Sequence, residues 1–318
     1  MQFFDGLSGV PAGFGPSAVT IGKFDGVHLG HRRVLETLRS VAAENGLVST
    51  VVTFDRHPLA LLSPANCPLP LASNQQKREF LESSGVDATV MIPFTTEFSN
   101  EEPEDFVANV LIGALRARVV FVGSTFRFGH RGRGDVRLLT ELGEANGFEV
   151  RSIDQVLAAD SLAEEGQPVS STLIRTLLDA GDVASATTLL GREPEVRAIV
   201  VHGSERGRAL GYPTANLARN PEGFIPADGV YAARLTVDGR TMPAAVSIGN
   251  NPTFEGVPDK QVEAHVLDET LDLYDKTVTV HFVDYVRPME KFRDMDALAV
   301  QMQADERRIR QILHVPQR

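Results

Sequence analysis

The spacing of hydrophobic and polar positions changes character near residue 190. Before that point, short β-branched runs alternate with segments that carry apolar residues at helical intervals. The strand-like runs lie at residues 17–22, 48–54, 88–92, 119–123 and 149–153. The helix-like segments lie at residues 32–44, around 106–115 and at 136–146. Strands that alternate with helices predict a doubly wound parallel α/β sheet with helices on both faces.

The second part of the chain reads differently. Two helix-like segments at 170–180 and 183–191 are followed by strand-like runs with no helices between them. These runs lie at residues 198–201, 229–237, 242–248, 262–267 and 277–286. They predict a small antiparallel barrel or sandwich, closed by a C-terminal helix at 295–313. We therefore predict two domains, residues 1–186 and residues 187–318.

Composition narrows the class of protein. A length of 318 residues fits two domains. The net charge of −11 argues against nucleic-acid and anionic-membrane partners, since both favour basic surfaces. The single cysteine, Cys67, excludes an intrachain disulfide and a cysteine-cluster zinc site. Residues 1–11 do not resemble a secretory signal, and the apolar run at 107–122 is interrupted by polar residues, so we expect a cytoplasmic protein.

The segment from Gly22 to His31, GKFDGVHLGH, connects the first predicted strand to the first predicted helix. Ligands bind at the carboxyl edge of a parallel sheet, and a helix N-terminus offers free N–H groups to phosphate. Glycines let the backbone approach the phosphate, and His28 and His31 add side-chain donors. The H-x-G-H pattern in this frame indicates a nucleotidyltransferase. The alternatives are a chance match or a pair of metal ligands, but no suitable third ligand is close in sequence.

Two more segments of the first part carry candidate chemistry. VSSTLIR, with Ser171, Thr172 and Arg175, opens a predicted helix and suits a triphosphate, although alone it would indicate an ordinary serine cap. VGSTFRFG follows a predicted strand and places Phe126 and Phe128 near the sheet edge. Taken alone, two such aromatic side chains are more often core than a flavin platform.

The second part contains a glycine-rich segment, GRALGYPTAN, from Gly207 to Asn216. The hydroxyl of Thr214 and the amide oxygen of Asn216 can both reach one hard cation, and Mg²⁺ prefers such oxygen ligands together with phosphates. The alternative is a plain loop. Glu263 lies in a strand-like run that is otherwise rich in apolar residues, where a glutamate is either a solvent-facing residue or a functional one.

In this order, these segments resemble the prokaryotic bifunctional riboflavin kinase/FAD synthetase family. The matching stretches are IGKFDGVHLGH, VGSTFRFG, VSSTLIR, LGYPTANL, GVYAARL, SIGNNPTF, VEAHVLD and LYDKTVTVHFVDYVRPMEKF. The resemblance implies that the enzyme makes FMN from riboflavin and ATP, and FAD from FMN and ATP, with Mg²⁺. It also implies a nucleotidyltransferase-type α/β domain followed by a six-stranded β-barrel kinase domain.

The resemblance assigns roles residue by residue. For the ATP of the adenylyl transfer it implies Gly22, Phe24, Asp25, Gly26, His28, Gly30, His31, Ser171, Thr172 and Arg175, with His28, His31 and Arg175 catalytic. For the ATP of the kinase it implies Gly207, Arg208, Gly211, Pro213, Thr214 and Asn216, the last two as Mg²⁺ ligands, with Glu263 as the base. For the flavins it implies Thr125, Phe126 and Phe128 in the first site, and Asn250, Asn251, Arg287 and Phe292 in the second.

Two positions depart from the family pattern, Lys23 in the GxFDG stretch and Thr125 before the phenylalanine of VGxxFxFG. The change at Thr125 leaves open a kinase whose first domain only binds nucleotides. A flavin or nucleotide sensor without turnover is a further alternative, against which the intact candidate reacting groups argue. The expected partners are small-molecule substrates, and a homo-oligomer stays open.

Overall fold

The computed structural model describes residues 1–153, 156–159, 166–203, 212–250, 260–269 and 271–317. The chain divides into two compact units, Met1–Ser170 and Ser171–Arg318. The border lies ahead of the predicted boundary between residues 186 and 187, and that boundary stays a prediction about where the two activities separate.

The first unit contains a six-stranded parallel sheet in the order β1-β4-β3-β2-β5-β6. Its strands are β1 (Gln2–Asp5), β2 (Ser17–Ile21), β3 (Val48–Phe54), β4 (Ala88–Ile92), β5 (Ala117–Gly123) and β6 (Glu149–Ile153). Its helices are α1 (Leu29–Asn45), α2 (Pro58–Leu62), α3 (Asn74–Ser83), α4 (Thr96–Ser99), α5 (Pro103–Phe106) and α6 (Val136–Asn146). A π-helix (Val107–Ala114) follows α5, and single 3-10 turns cover Leu7–Gly9, Pro64–Asn66 and His130–Gly132.

Alternate residues of the central strands belong to two different apolar clusters, as expected when both faces of a sheet are covered. In β2, Val19 joins the cluster that contains Leu139 of α6. Its neighbour Ala18 joins the cluster that contains Leu35 and Leu38 of α1. The same alternation explains why all five residues of β2 are buried. The predicted doubly wound α/β fold is confirmed.

The second unit begins with two helices, α7 (Ser171–Asp179) and α8 (Val183–Leu190), and continues into a closed antiparallel barrel. The barrel order is β10-β11-β8-β7-β12-β9. Its strands are β7 (Glu195–Val201), β8 (Ala215–Leu217), β9 (Gly229–Val237), β10 (Arg240–Asn250), β11 (Lys260–Val266) and β12 (Thr277–Arg287). The closing helix, α9 (Met295–Ile312), packs Ile309 against Val230 and Ala232 of β9. The predicted barrel and closing helix are confirmed.

Two candidate active sites

The loop between β2 and α1 holds a strained backbone at the carboxyl edge of the sheet. Phe24 and Val27 have φ angles of 47° and 39°, which bulky side chains rarely adopt. Both side chains are buried, so packing fixes the unfavourable conformation. Gly26 also has a positive φ, of 76°. Strain of this kind persists where the surrounding structure imposes it, and it is concentrated at ligand-binding turns.

The two histidines of this loop lie face to face where α1 begins. His28 occupies the N-cap position, and its ring stacks on that of His31 with centroids 3.8 Å apart and planes at 22°. A Cβ added to Gly30 would lie 3.1 Å from the His28 ring, so a larger residue between the histidines would crowd the stack. The imidazoles therefore sit beside the N–H groups and the positive dipole end of α1, an arrangement suited to phosphate.

Burial and nearby positive charge favour the neutral form of His31. Burial lowers the pKa of His31 well below its usual value, and the charges of His28, Lys23 and Lys77 lower it further. The Nδ1 atom of His31 is buried and has no hydrogen-bond partner among the described residues. In a neutral imidazole one ring nitrogen donates and the other accepts, so His31 can form a hydrogen bond of either kind with a ligand in this loop.

Lys77 of α3 is a buried cation whose charge acts on His31. Its side chain is 7% exposed, and its ammonium donates to the carbonyl of Phe54 at 2.8 Å. Burial lowers the pKa of Lys77, while the charges of Asp25 and Asp55 raise it. Asp25 itself accepts a hydrogen bond from the backbone N–H of Leu71 at 2.8 Å. Asp25 therefore has a structural role in holding Leu71, and its nucleotide-binding role stays a prediction.

An aromatic cavity of about 580 Å³ opens at the same edge of the sheet. Its walls include Ile21 at the end of β2 and six phenylalanines, Phe54, Phe94, Phe98, Phe106, Phe126 and Phe128. The rings of Phe126 and Phe128 are stacked with centroids 5.6 Å apart. These two predicted residues therefore line one cavity, whereas Thr125 is exposed in the preceding turn and is not part of its wall.

The remaining candidates for the adenylyl transfer belong to the second compact unit. Ser171, Thr172 and Arg175 lie in the first two turns of α7. The first two precede the buried Leu173 and Ile174 in sequence, and Arg175 follows them. Their predicted contact with ATP stays a prediction.

In the barrel, Glu263 is flanked by two polar residues on the neighbouring strands. It lies in β11 opposite Asn216 of β8 and Ser247 of β10, and directly paired antiparallel residues point to the same face. Val262 and Ala264, on either side of Glu263, are buried on the opposite face. A Cβ on Gly203 would collide with the carboxamide of Asn216, so this glycine leaves room for that side chain.

A second cavity, of about 340 Å³, brings together four predicted residues of the barrel unit. Thr214, Glu263, Arg287 and Phe292 all line it. The guanidinium of Arg287 lies 5.5 Å from the centre of the Phe292 ring. The cavity therefore combines a carboxylate, a hydroxyl and a cation–aromatic pair.

Sequence reasoning missed the residues of α9 that complete this cavity. Asp305 accepts two hydrogen bonds from Arg287, at 2.9 Å from Nε and 2.7 Å from Nη2, and a third from Gln301. Glu306 accepts a hydrogen bond from the hydroxyl of Tyr212 at 3.2 Å. The sequence between Arg287 and Asp305 carries no motif that would reveal the pairing. The packing of α9 against β9, β10 and β12 brings the two groups together.

Four of the predicted residues, Gly207, Arg208, Gly211 and Asn251, lie outside the described residues. Asn250 ends β10, but its side chain is also outside the described part. Pro213 accepts a hydrogen bond from His265 when Nδ1 of that ring carries its proton, at 2.8 Å. Within the described ranges, no group of three or more His, Cys, Asp or Glu side chains could hold a metal ion. A site made of Thr214, Asn216 and substrate phosphates is of a different kind.

Comparisons with known proteins match the two parts of the chain to two different family models. The family model of FAD synthetase matches residues 12–173, and that of riboflavin kinase matches residues 190–313. A bifunctional riboflavin kinase/FMN adenylyltransferase from Listeria monocytogenes is 35% identical, over 91% of this chain and 90% of its own length. A protein of the same description from Escherichia coli K12 is 34% identical, over 91% of this chain and 90% of its own length. Another from Pseudomonas fluorescens is 34% identical, over 96% of this chain and 96% of its own length.

One solved structure is similar to this chain over nearly its whole length. A crystal structure described as a macrolide-efflux protein from Streptococcus pneumoniae superposes with a TM-score of 0.87 at 30% identity, over 98% of this chain and 99% of that one. Across the described residues of the present chain, no helix is both long enough and apolar enough to cross a membrane.

Proposed function

The chain belongs to the family of bifunctional riboflavin kinases/FMN adenylyltransferases, and from that premise we propose which side chains carry out its two reactions. It phosphorylates riboflavin to FMN and adenylylates FMN to FAD. Neither the residue roles nor the use of Mg²⁺ follows from family membership alone. The geometry of the two cavities supports the assignments below.

In the kinase reaction, we assign Glu263 as the general base. The nucleophile is a neutral ribityl hydroxyl, whose proton must leave as its oxygen bonds to the γ-phosphorus and the bond to the β-phosphate oxygen breaks. Support comes from the position of Glu263 in the wall of a cavity that also contains Arg287 and Phe292, which we assign to the flavin.

Thr214 and Asn216 fit the Mg²⁺ that accompanies ATP. Both offer neutral oxygen donors, the type that Mg²⁺ accepts beside phosphates and water. Thr214 shares the cavity with Glu263, and Asn216 lies opposite Glu263 in the next strand. When bound, the ion spreads the negative charge that develops on the transferred phosphoryl group. Thr214 and Asn216 are the side chains that would hold the ion.

In the adenylyl transfer, we assign His28 and His31 to the α-phosphate. The nucleophile is the FMN phosphate, already an anion, so the reaction needs no strong base. Its oxygen bonds to the α-phosphorus as the bond to pyrophosphate breaks, and catalysis rests on positioning and charge stabilisation. The stacked imidazoles at the N-terminus of α1 supply donors for this purpose. The aromatic cavity beside them suits the isoalloxazine ring.

One observation carries the proposal most strongly: Thr214, Glu263, Arg287 and Phe292, chosen from three separate segments of sequence, line a single cavity. The test uses a reciprocal pair of variants, His31→Ala and Glu263→Gln, with separation of riboflavin, FMN and FAD after reaction with ATP and Mg²⁺. We expect His31→Ala to lower FAD formation by roughly 10²–10³ and to spare FMN formation. We expect Glu263→Gln to lower FMN formation by roughly 10²–10⁴ and to convert supplied FMN normally.

The same assay addresses the alternative of a kinase with an inactive first unit. If the unmodified protein produced FMN and no FAD, the adenylyl assignment would be lost. If both variants lost both activities while folded, the division of labour between the two sites would be wrong. We also propose a cytoplasmic location, because both reactions consume ATP.

A further inference from the structure

Glu101 lines the aromatic cavity, and one of its two carboxylate oxygens is buried. The residue lies in the connection between α4 and α5 and contacts two other parts of the first unit. Its Oε1 accepts a hydrogen bond from the amide of Asn109 at 3.1 Å, and its carbonyl accepts one from the N–H of His130 at 2.6 Å. Its Oε2 is buried and has no hydrogen-bond partner among the described residues.

A buried carboxylate oxygen without a donor costs free energy, since it loses its hydration and gains nothing in return. Glu101 is held in this position by Asn109 and His130, so the side chain does not simply relax into solvent. Much of the surrounding wall consists of phenylalanine rings. A ligand that satisfies this wall must be flat and largely apolar, and must carry an N–H or O–H donor at the edge that meets Glu101.

Oxidised isoalloxazine is a flat ring system with one N–H group, the imide N3–H. Repulsion between two negative charges disfavours a position of the FMN phosphate directly against Glu101, and Arg127 and Arg131 are the cations in the same wall. That phosphate belongs at the loop that follows Ile21, where His28 and His31 lie. The ring is therefore the part of FMN left to meet the wall formed by Glu101 and residues 129–132.

We propose that Glu101 is a specificity-determining residue of the adenylyl transfer, accepting a hydrogen bond from N3–H of the isoalloxazine through Oε2. This inference rests on the proposed function of the aromatic cavity as the flavin site. The contact selects a ring with an imide donor at this edge. It also orients FMN with its phosphate directed away from the carboxylate.

The test compares FMN with 3-methyl-FMN, which lacks the N3–H donor. Apparent affinities are taken as the KM values of the two flavins in the adenylyl transfer of the full-length protein, because the barrel unit has a second proposed flavin site and only this reaction reports the first one. We expect the unmodified protein to bind 3-methyl-FMN about 10- to 100-fold more weakly than FMN, as for loss of a hydrogen bond to a charged group. Glu101→Ala should weaken FMN binding by a similar factor and bring the two flavins to nearly equal affinity. Glu101→Gln keeps an acceptor and should retain the preference for FMN.

Glu102→Ala is the matched control, because the neighbouring carboxylate pairs with Arg133 at 2.8 Å and does not line the cavity. It should leave the ratio of the two affinities unchanged. The proposal is overturned if the unmodified protein binds both flavins equally, or if Glu101→Ala keeps the original ratio. Phe126→Ala separates this failure from a wrong choice of cavity. If that variant binds FMN normally, the flavin lies elsewhere and the proposed function of the cavity is itself wrong.

Discussion

Lys23 illustrates how a single departure from a family pattern can alter the electrostatics of a site. Its exposed ammonium lies in the same loop as His28 and His31, and its charge disfavours the imidazolium form of His31. The other causes of the low pKa are burial, which is the largest, and the charges of His28 and Lys77. Neutral His31 is the form that we assign to the adenylyl transfer, so Lys23 helps to maintain the active protonation state in mildly acidic solution.

Replacing Lys23 tests this effect without disturbing the core. In Lys23→Met a positive charge near His31 is lost, the imidazolium is less disfavoured, and the pKa of His31 should rise. Because burial remains, the pKa should stay below the usual histidine value. The measurement is an NMR pH titration of the His31 ring, with the pH profile of FAD formation as a second reading. The acidic limb of that profile should move to higher pH.

Lys23→Arg is the control for this experiment, since it retains the charge and should leave the titration of His31 where it was. A His31 pKa that is equal in Lys23→Met and the unmodified protein would show that the charge of Lys23 is screened by solvent. A lowered pKa in Lys23→Met would contradict the sign of the effect.

The candidate site residues that the sequence predicted share a property: each lies in a short local motif. Thr214 and Glu263 were chosen from such motifs, and both line the second cavity. Lys77, Glu101 and Asp305 were missed, because their meaning comes from contacts with distant segments. Lys77, for example, donates to the carbonyl of Phe54, a contact that no local pattern encodes.

Among the elements, α9 does more than close the barrel. Asp305 is 7% exposed and holds Arg287, the last residue of β12, through paired hydrogen bonds. Arg287 in turn lies over Phe292, so the helix fixes one wall of the second cavity. The position of α9 is thus linked to the shape of the site that we assign to riboflavin.

Asp305→Ala should therefore damage both stability and substrate binding. Removing one partner of a buried ion pair leaves the other charge uncompensated, which typically costs about 3–5 kcal/mol. We expect a loss of this order in the free energy of unfolding of the second unit, measured by denaturant titration. The KM for riboflavin should rise as Arg287 loses its position, and formation of FAD from supplied FMN should be unaffected.

Arg308→Ala provides the comparison on the same helix, because Arg308 is exposed. Its effect on stability should stay within about 0.5 kcal/mol, as is usual for a surface position. If Asp305→Ala lowered the free energy of unfolding as little as Arg308→Ala, the ion pair with Arg287 would contribute little to the stability of the second unit. The inference that this pair shapes the cavity would then be wrong.

The elements themselves were predictable to different degrees. Strands β3, β4, β6 and β9 coincide with the sequence prediction. Apolar residues dominate β3, β4 and β9, whereas β6 (EVRSI) alternates polar residues with Val150 and Ile153. The helix α3 was missed because it is largely polar, although a capping box of Ser73 and Gln76 marks its start. The strand β8 has three residues, too few to show a period. It forms because β7 and β11 supply partners on both sides.

At the scale of the whole molecule, the sequence predicted two domains with a boundary between residues 186 and 187, and that boundary stays a prediction about where the two activities separate. The division between residues 186 and 187 cuts α8, in which Val183 and Ala186 are fully buried. The backbone N–H of Ala227 donates to the carbonyl of Leu178, and the ring of Tyr285 approaches Gly181. These contacts make α7 and α8 part of the second compact unit. A hydrophobic pattern reports the change from helices to strands, but not which core the last helices join.

Truncated proteins should reveal this difference. A fragment of residues 171–318 should phosphorylate riboflavin and unfold at a clearly higher temperature than a fragment of residues 187–318. The shorter fragment loses the burial of Leu178, Val183 and Ala186, and each fully buried Leu or Val contributes about 1.5–3 kcal/mol.

A fragment of residues 1–186, which keeps Ser171, Thr172 and Arg175, should convert FMN into FAD. Calorimetry and product separation check the three fragments side by side. Equal unfolding temperatures for the two kinase fragments would mean that α7 and α8 add nothing to the barrel core. A fragment of residues 1–170 that made FAD at the rate of 1–186 would remove those three α7 residues from the adenylyl transfer.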